Sequence, residues 1–168
     1  MTTAMTQATA DTSDHDFVIS RTFNASRDLV FDAWSNPEHL KKWSVERCTN
    51  DPRPGGAMHY CMRTPDGTAL WGKWIYRAIT PPERLEYIQT FSDEAGGLTR
   101  HPFAPEWPLE MLSTVTFEET AGKTTMTIRW SPHDATDSER ATFHAAQAGM
   151  QQGWAGMFDQ LAAYLAKA

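Results

Sequence analysis

The side chains able to do chemistry are spread along this chain and gather into no catalytic motif. Two cysteines, Cys48 and Cys61, and six histidines at 15, 39, 59, 101, 133 and 144 are the candidate nucleophiles and metal ligands. No CxxC occurs, the histidines have no metal-ligand spacing, and neither a metal nor another cofactor is expected. G-x-S-x-G, the P-loop, G-x-G-x-x-G and H-E-x-x-H are absent from the sequence. A Cys–His nucleophile pair is conceivable, but both cysteines fall in strand-like stretches, where cysteine serves as a small core residue. His59 alternates with apolar neighbours and, with Arg63, faces away from the core.

The apolar side chains say more. If strand alternation is followed, Met58, Tyr60, Met62, Trp74, Tyr76, Met111, Met126 and Trp130 all point inward. Met150, Trp154 and Met157 face them from the last helix. Any one of these would serve as ordinary core. As a set they resemble the lining of a small-molecule pocket, because methionine adapts to irregular shapes and tyrosine and tryptophan put polar tips in an apolar wall. The reading is a cavity for a small hydrophobic or aromatic molecule. If the same cavity ran a cyclase- or hydrolase-like reaction, Tyr60, Tyr76 or His101 would be its acid or base.

The elements that must position these residues follow from the patterning. Phe17 to Asn24 reads as a strand. Ser26 caps a short helix carrying Leu29, Val30, Ala33 and Trp34, and Asn36-Pro37 ends it and starts a second with Leu40 and Trp43. Period-two stretches follow at Val45–Asn50, Met58–Arg63, Leu70–Ile79, Arg84–Phe91, Glu110–Glu118 and Lys123–Trp130. Trp74 and Tyr76 are expected on one side of their strand, with Ile75 and Ile79 on the other. Ala135 to Ala168 reads as one long amphipathic helix capped by Asp137 or Ser138, about 45 Å if thirty residues are helical. Short turns make the strands antiparallel, and such a sheet can hide one face under a helix. Gly149, Gly153 and Gly156 lie inside that helix, each costing about 1 kcal/mol relative to alanine. They mark either close packing on the sheet or room for a ligand.

At 168 residues, 40% hydrophobic and 21% charged, the chain is one soluble-type domain over residues 16–168. A formal charge of -6 argues against a nucleic-acid partner. No apolar run approaches the roughly eighteen residues of a membrane span. Residues 1–15 read as a flexible tail without a secretory signal, so a cytoplasmic protein is expected. A homodimer is compatible with this composition.

Six pieces in collinear order carry a family resemblance: Ala25–Trp43 (ASRDLVFDAWSNPEHLKKW), Asp51–Gly56 (DPRPGG), Met62–Gly67 (MRTPDG), Ile79–Leu85 (ITPPERL), Val115–Glu118 (VTFE) and Gly153–Leu165 (GWAGMFDQLAAYL). Together they resemble the activator of heat shock protein 90 ATPase homologue-like family. That family belongs to the START-like (SRPBCC) helix-grip superfamily, which also holds polyketide cyclases and the birch-pollen allergen. The resemblance implies an α+β helix-grip fold: a curved antiparallel sheet of six to seven strands, two short helices after the first, and a long C-terminal helix across it. It also implies a deep apolar cavity between sheet and helix. Three departures stand out. Ser44 and Val45 replace a tryptophan and proline common after Trp43, Ala78 replaces a glutamate, and the segment before VTFE is long. The family name comes from a eukaryotic co-chaperone in which this fold is only the C-terminal domain. A chaperone-interacting module would use the outer sheet face.

Two further expectations concern loops and thiols. Ser92 to Pro108 reads as a lid hinged at Gly96-Gly97, with His101, Phe103 and Trp107 folding over the cavity mouth. Counting from the Pro54-Gly55 turn places Cys48 across from Cys61, yet free thiols are expected in a reducing compartment.

Overall fold

The computed structural model describes residues 16–102 and 104–168, so the tail at residues 1–15 and the lid residue Phe103 lie outside it. The chain forms strand β1 (Phe17–Phe23), helices α1 (Arg27–Ser35) and α2 (Pro37–Trp43), then strands β2 (Arg47–Asn50), β3 (Ala57–Arg63), β4 (Ala69–Thr80), β5 (Arg84–Ser92), β6 (Leu98–Thr99), β7 (Glu110–Thr120) and β8 (Lys123–His133). Helices α3 (Asp137–Ala145) and α4 (Gln147–Lys167) complete it. All pairings are antiparallel, in the order β1-β8-β7-β5-β4-β3-β2, with β6 beside β5. This is the α+β helix-grip arrangement, with one strand more than the patterning suggested. The extra strand is the two-residue β6.

The two short helices are set by their caps. The Ser26 side chain accepts from Leu29 N, and Asp28 sits in the first turn, where its charge suits the helix dipole. Asn36 closes α1 through its own N–H to Asp32 O and opens α2 by accepting from Glu38 N. One residue thus serves two helices and fixes the angle at which Trp34 and Trp43 meet.

On β4 the register slips between Tyr76 and Ala78, leaving Arg77 as an extra residue. Such a bulge bends the strand and shifts the phase of its alternation. Ile79 is therefore opposite Leu85 and packs with the inward core, contrary to the pairing with Ile75 that uninterrupted alternation gives.

The C-terminal stretch is two helices. Thr136, one residue before the expected cap, opens α3 with a capping box: its side chain accepts from Glu139 N while Glu139 accepts from Thr136 N. The break comes at Ala146, whose N–H turns back to carbonyls of the preceding turn. Its cause is tertiary. Phe143 is buried in a small cluster with Phe17, Trp107 and Met111, whereas Phe158, Leu161 and Leu165 are buried in the main core. The two apolar faces serve different clusters, and the bend lets both be covered. No helix among the described residues is long and apolar enough to cross a membrane.

Close packing does not explain the α4 glycines. A Cβ placed on Gly149, Gly153 or Gly156 would meet no atom within 4 Å beyond its chain neighbours and its own helix backbone.

The cysteines also differ from expectation. Cys48 pairs with Tyr60, and Cys61 with Arg47, so the register is one residue off the count made from the turn. A slip of one puts the thiols on opposite sheet faces. Both are free. Burial raises both pKa values, that of Cys48 to about 11, so neither is a poised nucleophile.

The segment from Ser92 to Pro108 is more tied down than a plain loop. Asp93 and Gly97 close a turn through Asp93 N to Gly97 O and Gly97 N to Asp93 Oδ1, and β6 returns along β5. Arg100 Nη1 then donates to Glu139 Oε2 at 2.6 Å and reaches the Pro105 and Trp107 carbonyls. The Glu139 carboxylate is only 6% exposed. The Arg100 hydrogen bond, helped by the Thr136 N–H, holds it below the usual carboxylate range. A depressed carboxylate contributes stability above its unfolded pKa, about 4.3, and loses it as pH falls through the lower folded value. Between about pH 5 and about pH 3 the wild type should therefore lose more stability than Glu139→Gln. Urea unfolding at the two pH values checks this; equal losses would mean the pair contributes nothing.

Candidate functional site

A cavity of about 310 Å³ lies between the inner sheet face, α1, α2 and α4. Met58, Tyr60 and Met62 of β3, Trp74 of β4 and Trp130 of β8 line it from the sheet, and Trp154 and Met157 from α4. These are seven of the eleven cavity residues read from the sequence. The exposed Gly153 stands at its rim.

The other four lie elsewhere. Tyr76 is buried in the main core beyond Trp74, and its hydroxyl donates to Asn50 Oδ1 at 2.8 Å. Met126 is wholly buried core. Met111 and Met150 belong to the second cluster around Phe143.

Sequence reasoning missed the other side of the wall. Trp34, Leu40, Trp43, Ser44 and Val45 come from α1, α2 and the turn after them, and Tyr87 and Gln89 from β5. The available signal was the apolar face of the two short helices, which carries Trp34, Leu40 and Trp43. Ser44, where the resemblance gives a tryptophan, presents only a small side chain to this wall. Five of the seven tryptophans line this one cavity. Trp34 is central among them, with ring centres 5.9 Å from Trp43, 6.3 Å from Trp74 and 5.9 Å from Trp154. Trp74 also stacks on Tyr87 at 3.9 Å.

Tyr60 owes its pose to a glycine. It pairs with Gly72 across β3 and β4, and its ring lies over that residue. A Cβ on Gly72 would sit 2.5 Å from Tyr60 Cζ and Oη. With no side chain in the way, the phenol crosses β4 and reaches Gln89 on β5. Gln89 Nε2 donates to the Tyr60 hydroxyl at 3.1 Å, and Trp130 Nε1 donates to Gln89 Oε1 at 3.2 Å.

This bridge partitions the interior. Beyond it is a second chamber of about 190 Å³, sharing Tyr60, Met62, Gln89 and Trp130 and bounded also by Trp71, Phe91, Trp107 and Met111. Trp107 is 9% exposed and packs against Phe143 and Trp130. His101 lies against Phe91, ring centres 4.7 Å apart, and near Trp107, outside the linings of both chambers.

The electrostatics are those of a neutral site. No charged side chain among the described residues lines either chamber. Burial pushes the Tyr60 phenol up to about 12, partly offset by Gln89, and burial raises Tyr76 and Tyr87 further. Burial likewise lowers His101 below the ordinary histidine value. The phenols stay protonated at neutral pH and can donate hydrogen bonds, but they are poor bases.

Comparison with known proteins agrees with this geometry. The family model described as Activator of Hsp90 ATPase homolog 1-like protein matches residues 24–166. No functionally curated protein matches the sequence significantly. A protein of Arthrobacter aurescens solved by NMR is 28% identical, covers 93% of this chain and 88% of its own, and superposes with a TM-score of 0.72. Protein NE0264 of Nitrosomonas europaea is 25% identical over 92% of this chain and 96% of its own, with a TM-score of 0.69. Protein Ms6760 of Mycobacterium smegmatis, at 24% identity over 91% of each chain and a TM-score of 0.71, shows the same fold.

Proposed function

This chain belongs to the Activator of Hsp90 ATPase homolog 1-like family, and from that premise we propose that it binds a small hydrophobic, aromatic molecule between sheet and α4. The observation that carries the reading is a cavity of about 310 Å³ walled by five indoles and no charged side chain. Apolar walls left around a partly open space of that size forgo contacts that a filled core would make. An apolar guest would restore them.

The enzymatic alternative has less support. Tyr60 is the one acid–base candidate from the sequence that touches this cavity, and its raised pKa suits a hydrogen-bond donor better than a base. Docking of a chaperone on the outer sheet face has no matching feature either. Among the described residues the exposed large apolar side chains are Val18 and Leu98, which stand singly on β1 and β6. The proposal carries with it a cytoplasmic protein with no nucleic-acid partner.

Thermal shift against a panel of neutral two- and three-ring aromatics tests the reading. A binder at a hundredfold excess over its Kd should stabilise the native state by about 2.7 kcal/mol. Tryptophan emission should change in parallel. A panel with no stabilising member would remove the support for a ligand site.

A further inference from the structure

The hydrogen bonds around Tyr60 specify the kind of ligand. An indole N–H can only donate, so Gln89 must turn its Oε1 toward Trp130 Nε1. That orientation aims Gln89 Nε2 at the Tyr60 hydroxyl and makes the phenol oxygen the acceptor. The phenol hydrogen is then left over, and no described residue takes it. Tyr60 is only 9% exposed and lines both chambers, so in the free protein that hydrogen is left to water inside the cavity, which a guest displaces. Trp34 Nε1, by contrast, is turned toward the buried Tyr87 hydroxyl and lies out of a guest's reach. The one unspent group that borders the cavity, the Tyr60 hydroxyl, is a donor. A buried donor without an acceptor is costly, so a guest supplying one gains more than an apolar guest.

The same wall discriminates by charge. A carboxylate entering either chamber would lose its water and find no cation among the described lining residues. The indole planes of Trp34, Trp74 and Trp154 favour a flat guest.

Resting on the reading that this cavity binds an aromatic molecule, we propose that its ligand is a neutral, flat aromatic bearing a carbonyl-type acceptor, held by the Tyr60 hydroxyl at the partition between the two chambers. Gln89 and Trp130 are positioning residues: they orient the phenol so that its hydrogen faces the guest.

Three probes on one skeleton test this by equilibrium dialysis with the full chain: 2-acetylnaphthalene, 2-ethylnaphthalene and 2-naphthoate. At about pH 7 the acetyl compound should bind about tenfold tighter than the ethyl compound, although the ethyl group is the more hydrophobic, and the ionised naphthoate should bind weakest. In Tyr60→Phe the ethyl compound should keep its affinity and the acetyl compound should fall to the same level. Equal binding of the two neutral probes to the wild type, or naphthoate binding as tightly as the acetyl compound, overturns the acceptor inference and leaves the cavity reading intact. A preference for acetyl that survives in folded Tyr60→Phe overturns the role of Tyr60. Binding of none of the three removes the cavity reading itself. If Tyr60→Phe fails to fold, the wild-type ranking alone decides.

Discussion

Replacing Gly149, Gly153 and Gly156 together with alanine raises the stability of the protein by about 2–3 kcal/mol, at about 1 kcal/mol per site. The gain comes from helix propensity and from a less flexible unfolded chain. Helical glycines are often retained because a methyl group would clash. Here each added Cβ meets open space, and none of the three has a positive φ. The sites share no packing partner, so their effects should add. Urea unfolding of the triple variant measures the sum, and a loss of stability would mean that something packs against this face of α4. The same helix borders the cavity, with Gly153 at its rim. If α4 must loosen for a ligand to pass, association and dissociation of a neutral aromatic probe should both slow in the triple variant, with little change in Kd.

Met58→Trp should abolish binding of those probes while leaving stability within about 1 kcal/mol of the wild type. Overfilling a packed core ordinarily costs roughly 1–3 kcal/mol. Met58 is only 1% exposed, but it borders about 310 Å³ of unfilled space, where the larger indole can lie in the guest's place. Met126→Trp is the contrast. Met126 is equally buried and lines neither chamber, so the same substitution there should cost the full overpacking penalty. Urea unfolding and dialysis of the two variants decide the matter. Equal destabilisation of both would mark Met58 as ordinary core.

The inner sheet wall was legible because strand periodicity is local. Tyr60 and Met62 on β3 and Trp130 on β8 could be assigned to the inward face by counting in twos. What counting could not supply was which part of that face lies open. Tyr76 and Met126 point inward as read, yet other elements cover them. Gln89 was invisible because a glutamine in an alternating strand reads as a solvated position. Its part comes from Tyr60 and Trp130, 29 and 41 residues away in the chain. The break at Ala146 was hidden for a related reason. Alanine is the best helix former, and only the division of Phe143 and Phe158 between two clusters calls for a bend there. The bulge at Arg77 left no mark in composition either, and it alone misplaced Ile79.

Gly72 and Tyr60 impose an order on evolutionary change. Strands favour β-branched residues over glycine, so position 72 is under steady pressure to fill. While the phenol lies across it, a Cβ would sit 2.5 Å from the ring, so the substitution displaces the phenol from its pose. A lineage that first loses the aromatic at position 60 is freed to place valine or isoleucine at position 72. Once that has happened, the phenol has no floor to lie on and cannot return by a single substitution. The pair therefore acts as a ratchet. Across homologous chains, glycine at this position should accompany an aromatic opposite it, and chains with a bulky residue there should have lost the hydroxyl for good.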